Sequence, residues 1–280
     1  MNPGVVGLAV LVPAFVAGAA LLLRRPFAGA WGFALAVVAG IVVLFHATLA
    51  EAIVPRLALV AILAAVAGSV GKREGLRLGL LALASIAGPA VVLQVVPAET
   101  LSLKEKLVWG GAEALSIFAI TAAVDLRAKT LEGPGLPILL WVVASGGALA
   151  LADGGGDEKG GLLGASVAGA LGALGVLSFV LPTPGAGRAA APVVTTVLGS
   201  LWVFGYHLAY LPLAAGVVLL AAPVLVWSGV IVKKRQALLA APAIVAATAV
   251  AVWLSPPWEL LKEMGFKKSG SSATSSPEGE

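Results

Sequence analysis

Leu107–Val124 reads LVWGGAEALSIFAITAAV, an apolar run of membrane-spanning length with one carboxylate, Glu113, inside it. A helix needs about 20 apolar residues to cross a hydrocarbon core of roughly 30 Å. Of the 14 acids and 18 bases, Glu113 is the only one well inside such a block; the others lie in the breaks between blocks, near their ends or in the tail. A carboxylate at membrane depth costs several kcal/mol unless it is protonated, paired or wetted, so Glu113 is a candidate functional residue.

The composition points the same way as that run. Hydrophobic residues form 60% of the 280-residue chain and charged residues 11%, against roughly 45–50% and 25% in soluble domains. The 35 glycines suit close helix packing in lipid, where small residues let backbones approach. The net charge of +4 is spread along the flanks of apolar runs, which excludes nucleic acid as a partner. With no cysteine, disulfides, thiolate metal sites and cysteine nucleophiles are excluded as well.

Apolar runs of about 17–25 residues number ten: Gly4–Leu23, Ala28–Phe45, Ala52–Val70, Leu76–Val96, Leu107–Val124, Leu136–Ala152, Leu162–Leu181, Pro192–Leu211, Leu213–Val232 and Gln236–Leu254. The fold expected is therefore all-α, a polytopic integral membrane bundle of ten helices over residues 1–254. Nine is the alternative, because only the turn at Pro212 separates the eighth and ninth runs. Residues 255–268 read as an interfacial amphipathic segment, with Trp258, Leu261 and Met264 on one side. Residues 269–280 are Ser/Gly-rich without apolar residues and are expected to be disordered.

Loop bases set the orientation. The odd-numbered connections hold Arg24, Arg25, Lys72, Arg73, Arg77, Arg127, Lys129, Arg188, Lys233, Lys234 and Arg235, eleven in all. The even-numbered ones hold four, Arg56, Lys104, Lys106 and Lys159. The positive-inside rule then puts the odd connections in the cytoplasm of a bacterial inner-membrane protein, with both termini outside. Arg24 and Arg25 follow the first run instead of preceding it, the charge order of an N-out helix and not of a cleaved signal peptide.

Depth follows from a rise of about 1.5 Å per residue. Glu113 lies roughly 9 Å, and His207 roughly 7–8 Å, below the same outer boundary. Gln94 lies near the outer end of the fourth run, and His46 and Glu51 flank the outer end of the second. On the eighth run Thr196, Ser200, His207 and Tyr210 recur at helical spacing and share one face. Glu113, His207 and Gln94, with Tyr210, Ser200 and Thr196, are therefore the candidate substrate- or proton-binding residues, expected to share a polar cavity open to the outside. Asp125 and Arg127 read as a cytoplasmic flank, and Pro89 and Pro223 as possible helix breaks.

Several chemistries are absent from the sequence. It contains no GxxxxGK[ST] phosphate loop, no HExxH and no GxSxG. Two histidines far apart do not make a metal site, and no cofactor is expected. Three functions remain: a secondary transporter in which Glu113 changes protonation or pairs with a cation, a non-catalytic subunit of a membrane complex, and a membrane enzyme acting on a lipid-linked substrate. The transporter ranks first. The expected partners are the bilayer and other membrane proteins or further copies of this chain.

Overall fold

A computed structural model describes residues 3–22, 27–45, 53–70, 73–129, 135–153, 158–180, 186–209, 211–225 and 236–254. Among these, the secondary structure is helical and forms ten helices: α1 (Pro3–Leu21), α2 (Ala28–Phe45), α3 (Ile53–Ser69), α4 (Glu74–Leu93), α5 (Leu103–Ala128), α6 (Gly135–Asp153), α7 (Glu158–Val180), α8 (Ala186–Leu208), α9 (Leu213–Ala221) and α10 (Gln236–Leu254). Four of them, α4, α5, α7 and α8, are long and apolar enough to cross a membrane; the others are shorter apolar helices. The interfacial segment and tail expected after residue 254 lie outside the described residues, as do Tyr210, His46 and Glu51.

α8 is the hub. It packs on α2, α3, α4, α5, α6, α7 and α9, and 94% of its most apolar window is buried inside the protein. α3, α4 and α5 pack beside it in sequence, and α1, α2, α6 and α7 form a second group that meets the first where α2 packs on α3. α10 lies against α6 and α9. α5 is peripheral, with only 22% of its window buried. Its outer face presents Leu107, Val108 and Leu115, an apolar surface of a kind that water-soluble monomers rarely leave open.

Proline places the inter-helix hydrogen bonds. Pro13 inside α1 has no N–H, so the carbonyl of Ala9 loses its helical donor. Ser166 of α7 supplies one, with its Oγ 2.6 Å from the Ala9 oxygen. Most other buried hydroxyls donate to their own helix four residues back, as Thr195 does to Ala191 (2.8 Å) and Thr248 to Ile244 (2.8 Å). That habit satisfies a polar group without water. Pro223 acts as a terminator: α9 ends at Ala221, and residues 222–225 tighten into a 3₁₀ turn.

Several helix boundaries differ from the sequence expectation in ways that matter for the site. α5 starts earlier, because Ser102 and Glu105 form a capping box: the Glu105 amide donates to Ser102 Oγ (3.4 Å), and the Ser102 amide donates to Glu105 Oε2 (2.8 Å). It also ends later, at Ala128, so Asp125 and Arg127 belong to the helix and are buried, not a solvated flank. α8 starts at Ala186 and carries Pro192 inside it.

Candidate functional site

The capping box fixes the start of α5 and leaves Glu113 about three turns into the helix. The last turn of α8 brings His207 to it, with Nε2 2.7 Å from Glu113 Oε1. The imidazole is 4% exposed and the carboxyl side chain 13%, so what access the pair has runs past Glu113. The second carboxyl oxygen, Oε2, is buried and has no hydrogen-bond partner among the described residues. One proton between an imidazole nitrogen and a carboxyl oxygen satisfies both. Three arrangements share that separation: a protonated ring or a neutral ring with its proton on Nε2 donates to a carboxylate, or a carboxylic acid donates to a neutral ring.

Two aromatic rings complete this surrounding. Trp109 lies one turn before Glu113, and Tyr206 is the residue before His207. The Tyr206 and His207 rings meet edge to face with centroids 4.7 Å apart, and the Trp109 and His207 rings do so at 6.0 Å. Trp109 and Tyr206 are tilted against each other at 5.6 Å. The imidazole is held from two directions, and its orientation toward Glu113 follows from that packing.

The remaining sequence candidates do not join the pair as expected. Gln94 is exposed at the end of α4, where its Oε1 accepts from Arg56 Nη1 at 3.2 Å. The helix stops at Leu93, short of the run read from hydropathy. Thr196 and Ser200 are buried and bond within α8, to Pro192 (2.7 Å) and Thr196 (2.8 Å) carbonyls. Their shared face has no special meaning on a helix buried on nearly every side. Ser200 instead fits against Gly88 of α4, where a Cβ would collide with its Oγ.

A second ionic cluster lies toward the other end of the same four helices, which sequence reading missed. Arg77 of α4 and Asp125 of α5 are both buried. Arg77 Nε donates to Asp125 Oδ2 at 3.0 Å, and Nη2 donates to Oδ1. Nη1 donates to the carbonyls of Ala67 (3.3 Å) and Gly68 (3.0 Å) in the last turn of α3, where the Ala67 oxygen also accepts from the Val70 amide (3.4 Å). Nη2 also donates to the Arg188 carbonyl at 3.2 Å. Pro192 lies four residues beyond Arg188, so its missing N–H frees that carbonyl.

Gly68 permits the arrangement, since a Cβ there would meet the Ala189 carbonyl oxygen of α8. Around the rim, Lys129 Nζ donates to both oxygens of Glu74 (2.6 and 2.8 Å), and Arg188 reaches the same carboxylate at 3.5 Å. A signal for this cluster does exist in the sequence: an acid and a base near the facing ends of neighbouring helices, with a proline placed to liberate a carbonyl.

Along α5 the two carboxylates, Glu113 and Asp125, stand about 18 Å apart. Among the described residues there is no group of three or more His, Cys, Asp and Glu residues able to hold a metal ion. Fold and site together define an all-helical protein with four helices long and apolar enough to cross a membrane and a partly buried carboxyl–imidazole pair. No family model, curated protein or solved structure matches the chain.

Proposed function

We propose that this chain is a secondary carrier of the bacterial inner membrane in which the Glu113–His207 pair holds and releases the coupling proton. The observation that carries the reading is the 2.7 Å contact between His207 Nε2 and Glu113 Oε1, beside a second carboxyl oxygen with no partner among the described residues. A structural glue contact would use the acid fully. This one leaves half of it open, and a proton can move between its two holders without rearrangement of either helix. All ten helices would enter the bilayer, with the odd-numbered connections cytoplasmic and the Glu113 pair in the outer half. Clustering of Lys129, Arg188 and Arg73 toward the Arg77 end favours that orientation.

Proteoliposomes loaded with a pH-sensitive dye test the reading. Under an imposed pH gradient, a transported solute moves protons across vesicles containing the wild-type protein, and Glu113→Gln abolishes the movement. If no class of solute moves protons, or if Glu113→Gln leaves the movement unchanged, the carrier reading fails. A non-catalytic role in a larger membrane assembly then replaces it.

A further inference from the structure

Five buried side-chain atoms have no hydrogen-bond partner among the described residues: Ser85 Oγ, Glu113 Oε2, Thr121 Oγ1, Arg188 Nε and Trp202 Nε1. Trp202 Nε1 lies against Gly147 of α6. The other four stand on α4, α5 and α8, the helices that carry both acid–base pairs. A buried polar group in that state calls for an explanation, and internal water is the commonest one. We infer that water enters between these three helices from the Arg188 end and is held there by Thr121 and Ser85, which gives Glu113 a second route of access through the protein. Its use as a proton path rests on the carrier reading above.

Spacing carries the inference. Glu113, Ile117, Thr121 and Asp125 recur every fourth residue on α5, and Arg77, Leu81, Ser85 and Pro89 do so on α4. Each set therefore lies along one helix face. Arg77 meets Asp125 at one end, and at the other a Cβ on Gly110 would touch Leu93, so the two faces run antiparallel. Ser85 and Thr121 are both fully buried. At about 1.5 Å per residue, Thr121 stands roughly 6 Å from the level of Asp125, Ser85 roughly 6 Å beyond it, and Glu113 roughly 6 Å further. One water making two hydrogen bonds of about 2.9 Å spans such a gap.

Each gap also has the polar partners that a buried water needs. Arg188 Nε, 3.9 Å from Asp125 Oδ1, and the Thr121 hydroxyl serve the first. The Thr121 and Ser85 hydroxyls serve the second, with the Ser85 carbonyl, to which Pro89 has no N–H to give. Ser85 and Glu113 Oε2 serve the third, with Ser200 Oγ beside Gly88, one turn from Ser85. A hydroxyl accepts a proton from one neighbour as it gives its own to the next, so each ends with as many as it began. Asp125 is not a station, because Arg77 holds both its oxygens. Nothing in the route depends on which member of the Glu113–His207 pair carries the proton.

Hydroxyl radicals generated by X-rays in the purified full-length protein oxidise side chains beside bound water, and peptide mass spectrometry locates them. Leu81 and Ile117 lie on the two faces and are fully buried, as are Leu163 and Leu171 of α7. The expected result is several-fold more oxidation at Leu81 and Ile117 than at the α7 pair. Ser85→Ala with Thr121→Val removes the difference without lowering the melting temperature, since neither hydroxyl has a partner to lose. Thr121→Ser, which keeps its hydroxyl, preserves the difference. In vesicles the Ser85→Ala, Thr121→Val protein moves protons about tenfold more slowly than wild type.

Equal oxidation of both pairs overturns the inference, as does oxidation that survives the loss of both hydroxyls. Proton movement unchanged in the double variant overturns the path and leaves the carrier reading standing. A wild-type protein that shows the oxidation pattern but moves no protons with any solute loses the carrier and keeps the water.

Discussion

α3, α4, α5 and α8 carry an acid–base pair toward each end, and the two pairs differ in how completely their polar atoms are used. At the Arg77 end, one guanidinium joins Asp125, the last carbonyls of α3 and the proline-freed carbonyl of Arg188. Four helix ends meet at one side chain, and that side chain has no capacity left. At the Glu113 end, one carboxyl oxygen meets one imidazole nitrogen, the other oxygen has no partner among the described residues, and two aromatic rings pack against the imidazole. A saturated buried pair holds elements in place, because breaking it strands a charge. A half-used one can accept a proton or a ligand without dismantling the fold. The contrast locates the pin and the site on the same four helices.

The largest effect is expected at the pin. Arg77→Ala leaves the buried Asp125 carboxylate with only the more distant Arg188 (Nε at 3.9 Å) and takes the Arg77 donor from the Gly68 and Arg188 carbonyls, at a cost of about 3–5 kcal/mol. Thermal unfolding in detergent should show a large loss of stability. The double variant Arg77→Met with Asp125→Leu should recover part of it, since an apolar pair removes the stranded charge. A double variant no better than the single one would mean that the carbonyl contacts, and not the ion pair, hold this end together.

Gly68→Ala comes next. Its new methyl meets the Ala189 carbonyl oxygen, and overpacking of this kind costs about 1–3 kcal/mol. The same melting measurement reads it, and a neutral result would mean that α3 and α8 part easily there. Ser166→Ala should follow, because it leaves the Ala9 carbonyl beside Pro13 without its donor. A loss of about 1 kcal/mol is expected for that hydrogen bond. A Ser166→Thr variant that melts lower than Ser166→Ala would point to crowding at Gly40 as the stronger effect. Glu113→Gln should change stability least, by less than about 1 kcal/mol, because the amide can still hydrogen-bond His207. Its effect belongs to proton movement, and a melting loss as large as that of Arg77→Ala would make Glu113 a second pin.

The sequence made much of this legible. Unbroken apolar runs marked the helices, since a segment hydrophobic on all sides has few other stable destinations. Glu113 stood out because its run held no other charge, and the depth estimate brought it level with His207, where the two side chains meet. Asp125 escaped notice because an acid near the end of a run looks like a solvated flank. Only the capped start and late end of α5 bury it. Gln94 misled because hydropathy continues to Val96, whereas α4 stops at Leu93, a few residues before Pro97. The polar stripe of α8 misled for another reason. Periodicity distinguishes faces only on a helix with an outside, and α8 is nearly all inside.

Carbodiimide labelling tests the contrast most directly. Dicyclohexylcarbodiimide is apolar, enters bilayers and reacts with carboxyl groups that carry a proton and can be reached. Applied to the protein in membranes and followed by peptide mass spectrometry, it reports on Glu113 and Asp125 in one sample. The expected result is modification of Glu113, with Asp125 unmodified. Modification of Asp125 while Glu113 stays unlabelled would contradict the account, because the pin and the site would then have been assigned the wrong way round.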